Sequence, residues 1–239
     1  MSTTDNSKIK LYELALEDGR SASPFVWRIR YALAHKGIAY ETAYVGFTDI
    51  PKLFGGKFKT VPILEHGSTV LNESWDIAEY LDRAFPDKPA LFNTPAEHSL
   101  VKFTDAWFVG EVLRKMFRVY VKDVHDAARP QDRQYFRESR EKNMKGQTLE
   151  TFTAERATHL PAIRAALAPL RQYLQKYPFL GGATPNYADY IALGGFYWAA
   201  SAGTIPLLER DDSLRGYVSR GFDLYGGIAR EPGVKPLFE

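Results

Sequence analysis

Residues 23–45 read SPFVWRIRYALAHKGIAYETAYV, and this stretch decides the fold of the first part of the chain. Ser23 is a favoured helix N-cap, and Pro24 suits the first helical position because the N–H group that it lacks would have no partner there. Apolar side chains at helical spacing follow the proline, and Gly37 suits the position just after a helix ends. Residues 39–45 then read as a strand, so the stretch predicts a helix followed by a strand.

The flanks of this stretch carry further strand and helix signals. Ile9–Leu14 reads as a strand, which completes a β-α-β unit with parallel strands. Residues 61–64 and 69–71 predict a hairpin. Ser74 is placed as the N-cap of a second helix, which Pro86 ends. The order is therefore β-α-β followed by β-β-α.

After a proline-rich linker, the pattern of the remaining residues predicts an almost wholly helical structure. Val101 to Met116 marks one long helix, and residues 149–177 contain another. Asn186, with Asp189 three residues later, resembles a capping box that opens an apolar segment. We therefore expect an α/β domain at residues 1–88 and an all-helical domain at residues 96–239.

The composition excludes several kinds of site. The chain of 239 residues contains no cysteine, which excludes disulfides, zinc–thiolate centres, iron–sulfur clusters and cysteine nucleophiles. Its 31 Lys and Arg residues stand against 29 Asp and Glu, a formal net charge of +2 that is ordinary for a folded protein. The five histidines lack the spacing of metal ligands, so we expect no metal. The missing cysteine also favours a reducing compartment, and we expect a cytoplasmic protein.

Two segments raise the question of a membrane or nucleic-acid partner. Residues 190–208 carry no charge over 19 residues, but glycines and Pro206 interrupt them, so a buried core helix is predicted. The polar residues 1–10 predict no signal peptide. Between Arg114 and Lys145, ten basic residues meet five acidic ones, which suits a solvated helix face with mixed i,i+4 pairs better than a nucleic-acid surface. We expect neither a membrane nor a nucleic-acid partner.

Three short motifs stand above this background when they are taken in order. They are Ser23-Pro24 at a helix start, Val61-Pro62 before the hairpin, and Glu73-Ser74 at the second helix start. Together they resemble the glutathione site of the glutathione S-transferase family, and residues 179–189 resemble the capping motif of that family's helical domain. The resemblance covers essentially the whole chain. It implies a thioredoxin-like domain that binds glutathione, an all-α helical-bundle domain that contributes the acceptor site, and a homodimer.

Longer strings resemble a subgroup, the bacterial lignin β-aryl etherases and their fungal relatives. These strings lie at residues 23–28, 130–133, 220–224 and 236–238. Phe25 stands where a tyrosine is expected in that subgroup. The resemblance implies cleavage of an aryl ether by glutathione, a sharper version of transfer to an electrophile.

The family resemblance also implies a role for each motif residue. Ser23 would donate a hydrogen bond to the thiolate of glutathione, which serves as co-substrate. The backbone of Val61 would pair with the cysteinyl unit, in a geometry that needs a cis bond before Pro62. Glu73 and Ser74 would hold the γ-glutamyl group.

An aromatic acceptor pocket is the remaining expectation. Its candidate residues are Phe25, Trp107, Phe117, Tyr120, Tyr197 and Trp198. Lys57 or Lys59 would meet the glycine carboxylate of glutathione, and Tyr120 or Tyr197 would steady a departing oxygen. We expect serine-assisted transfer of glutathione to a small-molecule aryl electrophile. The alternative is a catalytically silent binding or assembly module of the same fold, against which the three retained motifs argue.

Overall fold

A computed structural model describes residues 8–239, so most of the polar stretch at residues 1–10 lies outside the described residues. The β-α-β unit is present, with β1 at Ile9–Leu14, α1 at Pro24–His35 and β2 at Tyr40–Val45. The strands β1 and β2 pair in parallel along their whole length. Ser23 caps α1, and Gly37 has a φ of +62°, the left-handed conformation expected after a helix end. These predictions are confirmed.

A hairpin and a second helix complete the first domain. The strands β3 (Ile63–His66) and β4 (Thr69–Leu71) are antiparallel, β3 also pairs antiparallel with β1, and the sheet order is β2-β1-β3-β4. The strand β3 begins two residues later than predicted. The helix α2 spans Ser74–Ala84 and its N-cap is Glu73, so the prediction of Ser74 as N-cap is wrong by one residue. This arrangement is the thioredoxin-like α/β fold.

The rest of the chain is helical. Its helices are α3 (Pro95–Trp107), α4 (Arg114–Ala127), α5 (Pro130–Glu141), α6 (Leu149–Thr153), α7 (Leu160–Ala166), α8 (Ala168–Leu174), α9 (Tyr187–Ala202) and α10 (Arg215–Gly227). A π-helical turn at Phe108–Leu113 joins α3 to α4. The single helix predicted within residues 149–177 is broken into α6, α7 and α8. Pro161 and Pro169 stand in the first turns of α7 and α8, where a proline lacks the N–H that would continue the preceding helix.

Helix α9 forms the centre of the molecule. Its capping box is present, and all 16 of its residues are buried, which confirms a core helix in this segment. Gly194 lies where α9 meets α1, and a Cβ atom at this position would stand 2.4 Å from the carbonyl oxygen of Pro24. Tyr197 stacks on Trp27 of α1 with the ring centroids 3.6 Å apart. Among residues 8–239, no helix combines the length and the apolar character required to cross a bilayer.

The basic segment between Arg114 and Lys145 carries ion pairs along its exposed faces. Lys115 pairs with Glu111 at 2.8 Å, Lys122 with Asp126 at 2.6 Å, and Arg137 with Glu141 at 2.8 Å, all with i,i+4 spacing. These mixed pairs are the ones that the sequence predicts.

Candidate active site

Ser23 lines a cavity between the sheet and the helical bundle, at the amino terminus of α1. Its Oγ accepts the backbone N–H of Val26 at 3.3 Å, which fixes the hydroxyl at the helix end. The residue is 8% exposed. Within residues 8–239 the hydroxyl donates to no acceptor, so its proton is free for an atom placed in the cavity. The partial positive charge of the helix terminus lies at the same point, and the pair can stabilise an anion there.

Asn72 holds the turn before β3 beside the start of α2. The Val61–Pro62 bond is cis, as the family resemblance implies, and Val61 lines the cavity. The Asn72 Nδ2 donates to the carbonyl oxygens of Thr60 at 2.7 Å and of Pro62 at 3.0 Å. Thr60 Oγ1 donates to Asn72 Oδ1 at 3.2 Å. Because Asn72 directly precedes Glu73, these bonds fix the Val61 backbone relative to the α2 terminus.

Glu73 and Ser74 lie side by side at the amino-terminal end of α2. Glu73 is exposed, and its side chain makes no capping bond to the helix. Ser74 is buried, and its carbonyl oxygen accepts a hydrogen bond from the Tyr187 hydroxyl at 2.8 Å, which ties α2 to α9. The end therefore offers a carboxylate, a hydroxyl and free backbone amides, a set that suits a group carrying both an ammonium and a carboxylate.

The two candidate lysines are placed differently. Lys59 lines the cavity, and its Nζ donates to the carbonyl oxygen of Gly56 at 3.3 Å. The ammonium group of Lys57 lies over the ring of Phe58 and does not line the cavity. Lys59 is therefore the lysine in position to meet a ligand carboxylate.

The cavity has a volume of about 380 Å³, which is within the usual range for small-molecule sites. Three of the six predicted aromatic residues, Phe25, Phe117 and Trp198, line it. The sequence did not single out Phe47 and Phe136, which complete the aromatic lining and meet edge to face at 4.7 Å. The remaining apolar lining consists of Leu14, Ala22, Pro24, Ile50, Val61, Val109, Leu113, Val121 and Val124.

Tyr120, Tyr197 and Trp107 do not line this cavity, contrary to the expectation from the sequence. The Tyr120 hydroxyl donates to the carbonyl oxygen of Ile205 at 3.2 Å, and the Tyr197 hydroxyl donates to Glu231. Burial raises the pKa of both phenols above the ordinary value, so both remain protonated and occupied by structural bonds. Trp107 lines a separate groove on the outer side of α3. Within the described part of the chain, no phenol therefore lines the cavity to steady a departing oxygen.

Comparison of the sequence with family models and with known proteins gives the same family in both cases. The family model described as glutathione S-transferase, N-terminal domain, matches residues 22–84, and the C-terminal domain model of the same family matches residues 99–204. A probable glutathione S-transferase of Glycine max is 27% identical over 213 residues, which is 86% of this chain and 78% of that protein. Glutathione S-transferase U7 of Arabidopsis thaliana is 28% identical, with 75% of this chain and 68% of that protein covered.

Solved structures show the same fold. A glutathione S-transferase of Ceriporiopsis subvermispora in complex with glutathione has a TM-score of 0.78 at 23% identity, with 91% of this chain and 96% of that chain covered. Glutathione transferase GSTFuA2 of Phanerochaete chrysosporium has a TM-score of 0.72 at 28% identity, with 82% and 87% covered. The two family models together match most of the chain, and both halves of the fold agree with them. The chain belongs to the glutathione S-transferase family.

Proposed function

We propose that this protein is a glutathione transferase in which Ser23 activates the thiol of glutathione for attack on an aromatic electrophile. The observation that carries the proposal is the Ser23 hydroxyl, which faces an apolar cavity at a helix amino terminus with its proton free. A free thiol has a pKa of about 8.5, so only a few per cent is ionised at neutral pH. Lowering that pKa by about two units requires ~2.7 kcal/mol of preference for the anion, which a hydroxyl donor and a helix terminus can supply together.

Glutathione would lie along the edge of the cavity formed by the thioredoxin-like domain. The backbone of Val61, beside Pro62, would pair with the cysteinyl unit. Glu73 and Ser74 would bind the ammonium and carboxylate of the γ-glutamyl group, and Lys59 would bind the glycine carboxylate. The thiol sulfur would then lie at Ser23, which lines the same cavity as Val61 and Lys59.

The acceptor would occupy the aromatic part of the cavity, where Phe25 and Phe117 can pack on a ring. In general transfer, the thiolate sulfur forms a bond to the electrophilic carbon, and the leaving group departs with the bonding electron pair. The sharper version is cleavage of a β-aryl ether, in which the C–O bond breaks and a phenolate leaves. The etherase-like sequence strings support this version, in which no phenol among residues 8–239 lines the cavity and a phenolate leaves without strong acid assistance.

Replacement of the serine tests the proposal directly. Ser23→Ala should lower turnover with 1-chloro-2,4-dinitrobenzene by about 10- to 1000-fold, the loss expected for one donor to an anion. The pKa of the thiol of bound glutathione, read from the ultraviolet absorbance of the thiolate, should rise, while glutathione affinity changes much less.

Ser21→Ala is the matched control for this experiment. Ser21 lies two residues before Ser23, is buried, does not line the cavity, and its Oγ has no hydrogen-bond partner among residues 8–239. Full activity and an unshifted thiol pKa in Ser23→Ala would contradict the role of Ser23. Conjugate formation by the wild type excludes the silent-module alternative, and phenol release from a β-aryl ether ketone decides the etherase version.

We also propose that the protein is a homodimer that pairs through the outer face of α3. Leu100 and Phe103 on this face are 68% and 72% exposed, and they border a groove lined by Trp107 and Tyr173. Contiguous exposed apolar surface of this kind marks interaction sites. Sedimentation velocity should give twice the chain mass of 27.1 kDa for the wild type and a monomer for Phe103→Asp. Tyr135→Asp, on α5, is the control, and a monomeric wild type would overturn the proposal.

A further inference from the structure

The cavity at Ser23 is apolar but lined by three cationic side chains. These are Lys59, Arg114 and Arg140, and none of its lining residues is an aspartate or a glutamate. Lys59 has a role in the proposed binding of glutathione. Arg114 and Arg140 remain, and both come from the helical domain, which supplies much of the acceptor side of the cavity.

Arg140 is half-buried, and the ion pairs formed among residues 8–239 do not include it. Its guanidinium lies 4.7 Å from the ring centroid of Phe136 and 5.7 Å from that of Phe47, and Nη1 donates to Ser139 Oγ at 3.0 Å. Burial lowers the pKa of Arg140 below its ordinary value, and the nearby Tyr135 opposes this shift only in part. Among residues 8–239, no carboxylate lies within ion-pair distance of Arg140 or of Arg114.

Three other arginines of the same segment, Arg129, Arg133 and Arg137, are neutralised by acidic partners. Arg137, one turn before Arg140 on α5, binds Glu141 at 2.8 Å and Glu150 at 2.7 Å. Arg129 binds Asp49 at 2.5 Å and Asp132 at 2.6 Å. A half-buried guanidinium that contacts two aromatic rings and a hydroxyl but no carboxylate recovers only part of its desolvation cost. An anion that enters the cavity would offset it.

We propose that the acceptor substrate is an aromatic electrophile that carries a carboxylate, which Arg140 binds with the help of Arg114. The guanidinium of an arginine matches a carboxylate in a planar, two-bond geometry, and the rings of Phe25 and Phe117 supply the surface for the aryl group. Arg114 is exposed at the start of α4, so it extends the positive charge to solvent and attracts the same anion. This inference rests on the proposed function, because it assigns the second substrate of the same site.

A pair of probes separates the charge of the substrate from its shape. The probes are 4-chloro-3-nitrobenzoate and its neutral counterpart 4-chloro-3-nitrobenzamide. In each, the glutathione sulfur bonds to the ring carbon that carries chlorine, and the C–Cl bond breaks with its electron pair going to chloride. The thiol proton goes to solvent, so the products are a thioether, chloride and a proton in both cases.

The measurement is the ratio of kcat/KM for the benzoate to kcat/KM for the benzamide. Arg140→Met should lower this ratio about 10-fold or more, mainly through a higher KM for the benzoate, because a charge-assisted bond is lost. Arg140→Lys should restore part of the ratio, since it retains the charge. Arg118→Met is the control, because Arg118 is exposed on α4, lies over the ring of Phe152 and does not line the cavity.

The outcomes distinguish a failure of the inference from a failure of the proposed function. An unchanged ratio in Arg140→Met, or a loss that Arg140→Lys does not relieve at all, overturns the inference while conjugation of the benzamide still supports a glutathione transferase. If neither probe is conjugated, binding of the benzoate is measured by equilibrium dialysis. Binding that Arg140→Met weakens and Arg118→Met does not would support the anion site without transferase activity. No binding by the wild type would overturn it.

Discussion

At the scale of single residues, the site depends on side chains that hold backbone in place as well as on those that face the cavity. Ser23 could be identified from the sequence as the N-cap of α1, because helix capping is a local property. A serine followed by a proline signals it directly. Asn72 could not be identified, since its partners Thr60 and Pro62 lie 12 and 10 residues away, across the hairpin. In the sequence, its amide looks like that of any loop asparagine.

Replacement of Asn72 should weaken glutathione binding without removing any group that touches the ligand. Asn72→Ala removes two bonds donated to the backbone on either side of Val61 and one accepted from Thr60. We expect the glutathione Kd by calorimetry to rise about 5- to 30-fold, since each neutral bond contributes ~0.5–1.5 kcal/mol. Asn143→Ala is the control at an exposed asparagine. An unchanged Kd would show that the Val61 turn holds its position without Asn72.

At the scale of elements, the junction between β2 and α5 determines one side of the cavity. The loop after β2 docks on the first turn of α5, where Asp132 accepts from the Thr48 N–H at 2.8 Å and from Arg129 at 2.6 Å. Phe47 in this loop and Phe136 on α5 are brought into the cavity by that contact. Asp132, in the first turn of α5, thus has a structural role in this protein.

Gly46 is the position where an added side chain would displace the Arg129–Asp132 ion pair of this junction. A Cβ atom there would lie 1.6 Å from Arg129 Nη2 and 2.1 Å from Asp132 Oδ2. Gly46→Ala should therefore lower the free energy of unfolding by about 1–3 kcal/mol, measured by urea denaturation. Gly110→Ala is the control, since a Cβ atom there meets nothing within 4 Å. Equal stability of the two variants would mean that the β2–α5 junction accommodates a Cβ atom at Gly46 without a loss of unfolding free energy.

The helix boundaries predicted from the sequence are correct where a local capping signal marks them. They are wrong where the apolar spacing continues across a break in the helix. The start of α1 and the capping box of α9 were predicted because a cap and the following turn lie within a few residues. In the segment from α6 to α8, the apolar residues Ile163, Leu167 and Leu170 keep helical spacing. This pattern predicted one continuous helix, although two prolines break it.

At the scale of the whole molecule, the cavity exists only where the two halves of the chain meet. Tyr197 illustrates why part of the cavity lining could not be predicted from sequence. Every residue of α9 is buried, so no apolar stripe distinguishes a cavity-facing side from a core-facing side. The packing of α9 on α1 determines which of its side chains face the cavity, and it places Tyr197 against Trp27 and Glu231.

A second interdomain contact places two carboxylates, one buried and one partly exposed, beside one arginine. Glu13 on β1 is 1% exposed, and its Oε2 lies 3.9 Å from Arg30 Nη1, without a hydrogen bond. The same Nη1 contacts Glu231 in the carboxyl-terminal segment at 2.8 Å. Burial raises the pKa of Glu13 from 4.5 to about 7, Arg30 opposes this shift, and Glu231 adds to it. Thr42 Oγ1 faces Glu13 from β2, at 3.5 Å from Oε1.

This arrangement predicts that stability falls as the pH rises from about 4.5 to 7 and levels off above that range. In this window the folded protein retains the proton on Glu13 and the unfolded chain has lost it, so deprotonation favours unfolding by up to roughly 3 kcal/mol. Glu13→Gln is neutral at every pH and should remove this slope, leaving the variant more stable than the wild type at pH 8. Other buried acids, such as Asp189, titrate equally in both proteins and cancel in the difference. Urea denaturation of the two proteins between pH 5 and 8 measures it, and parallel profiles would show that Glu13 does not change its protonation on folding.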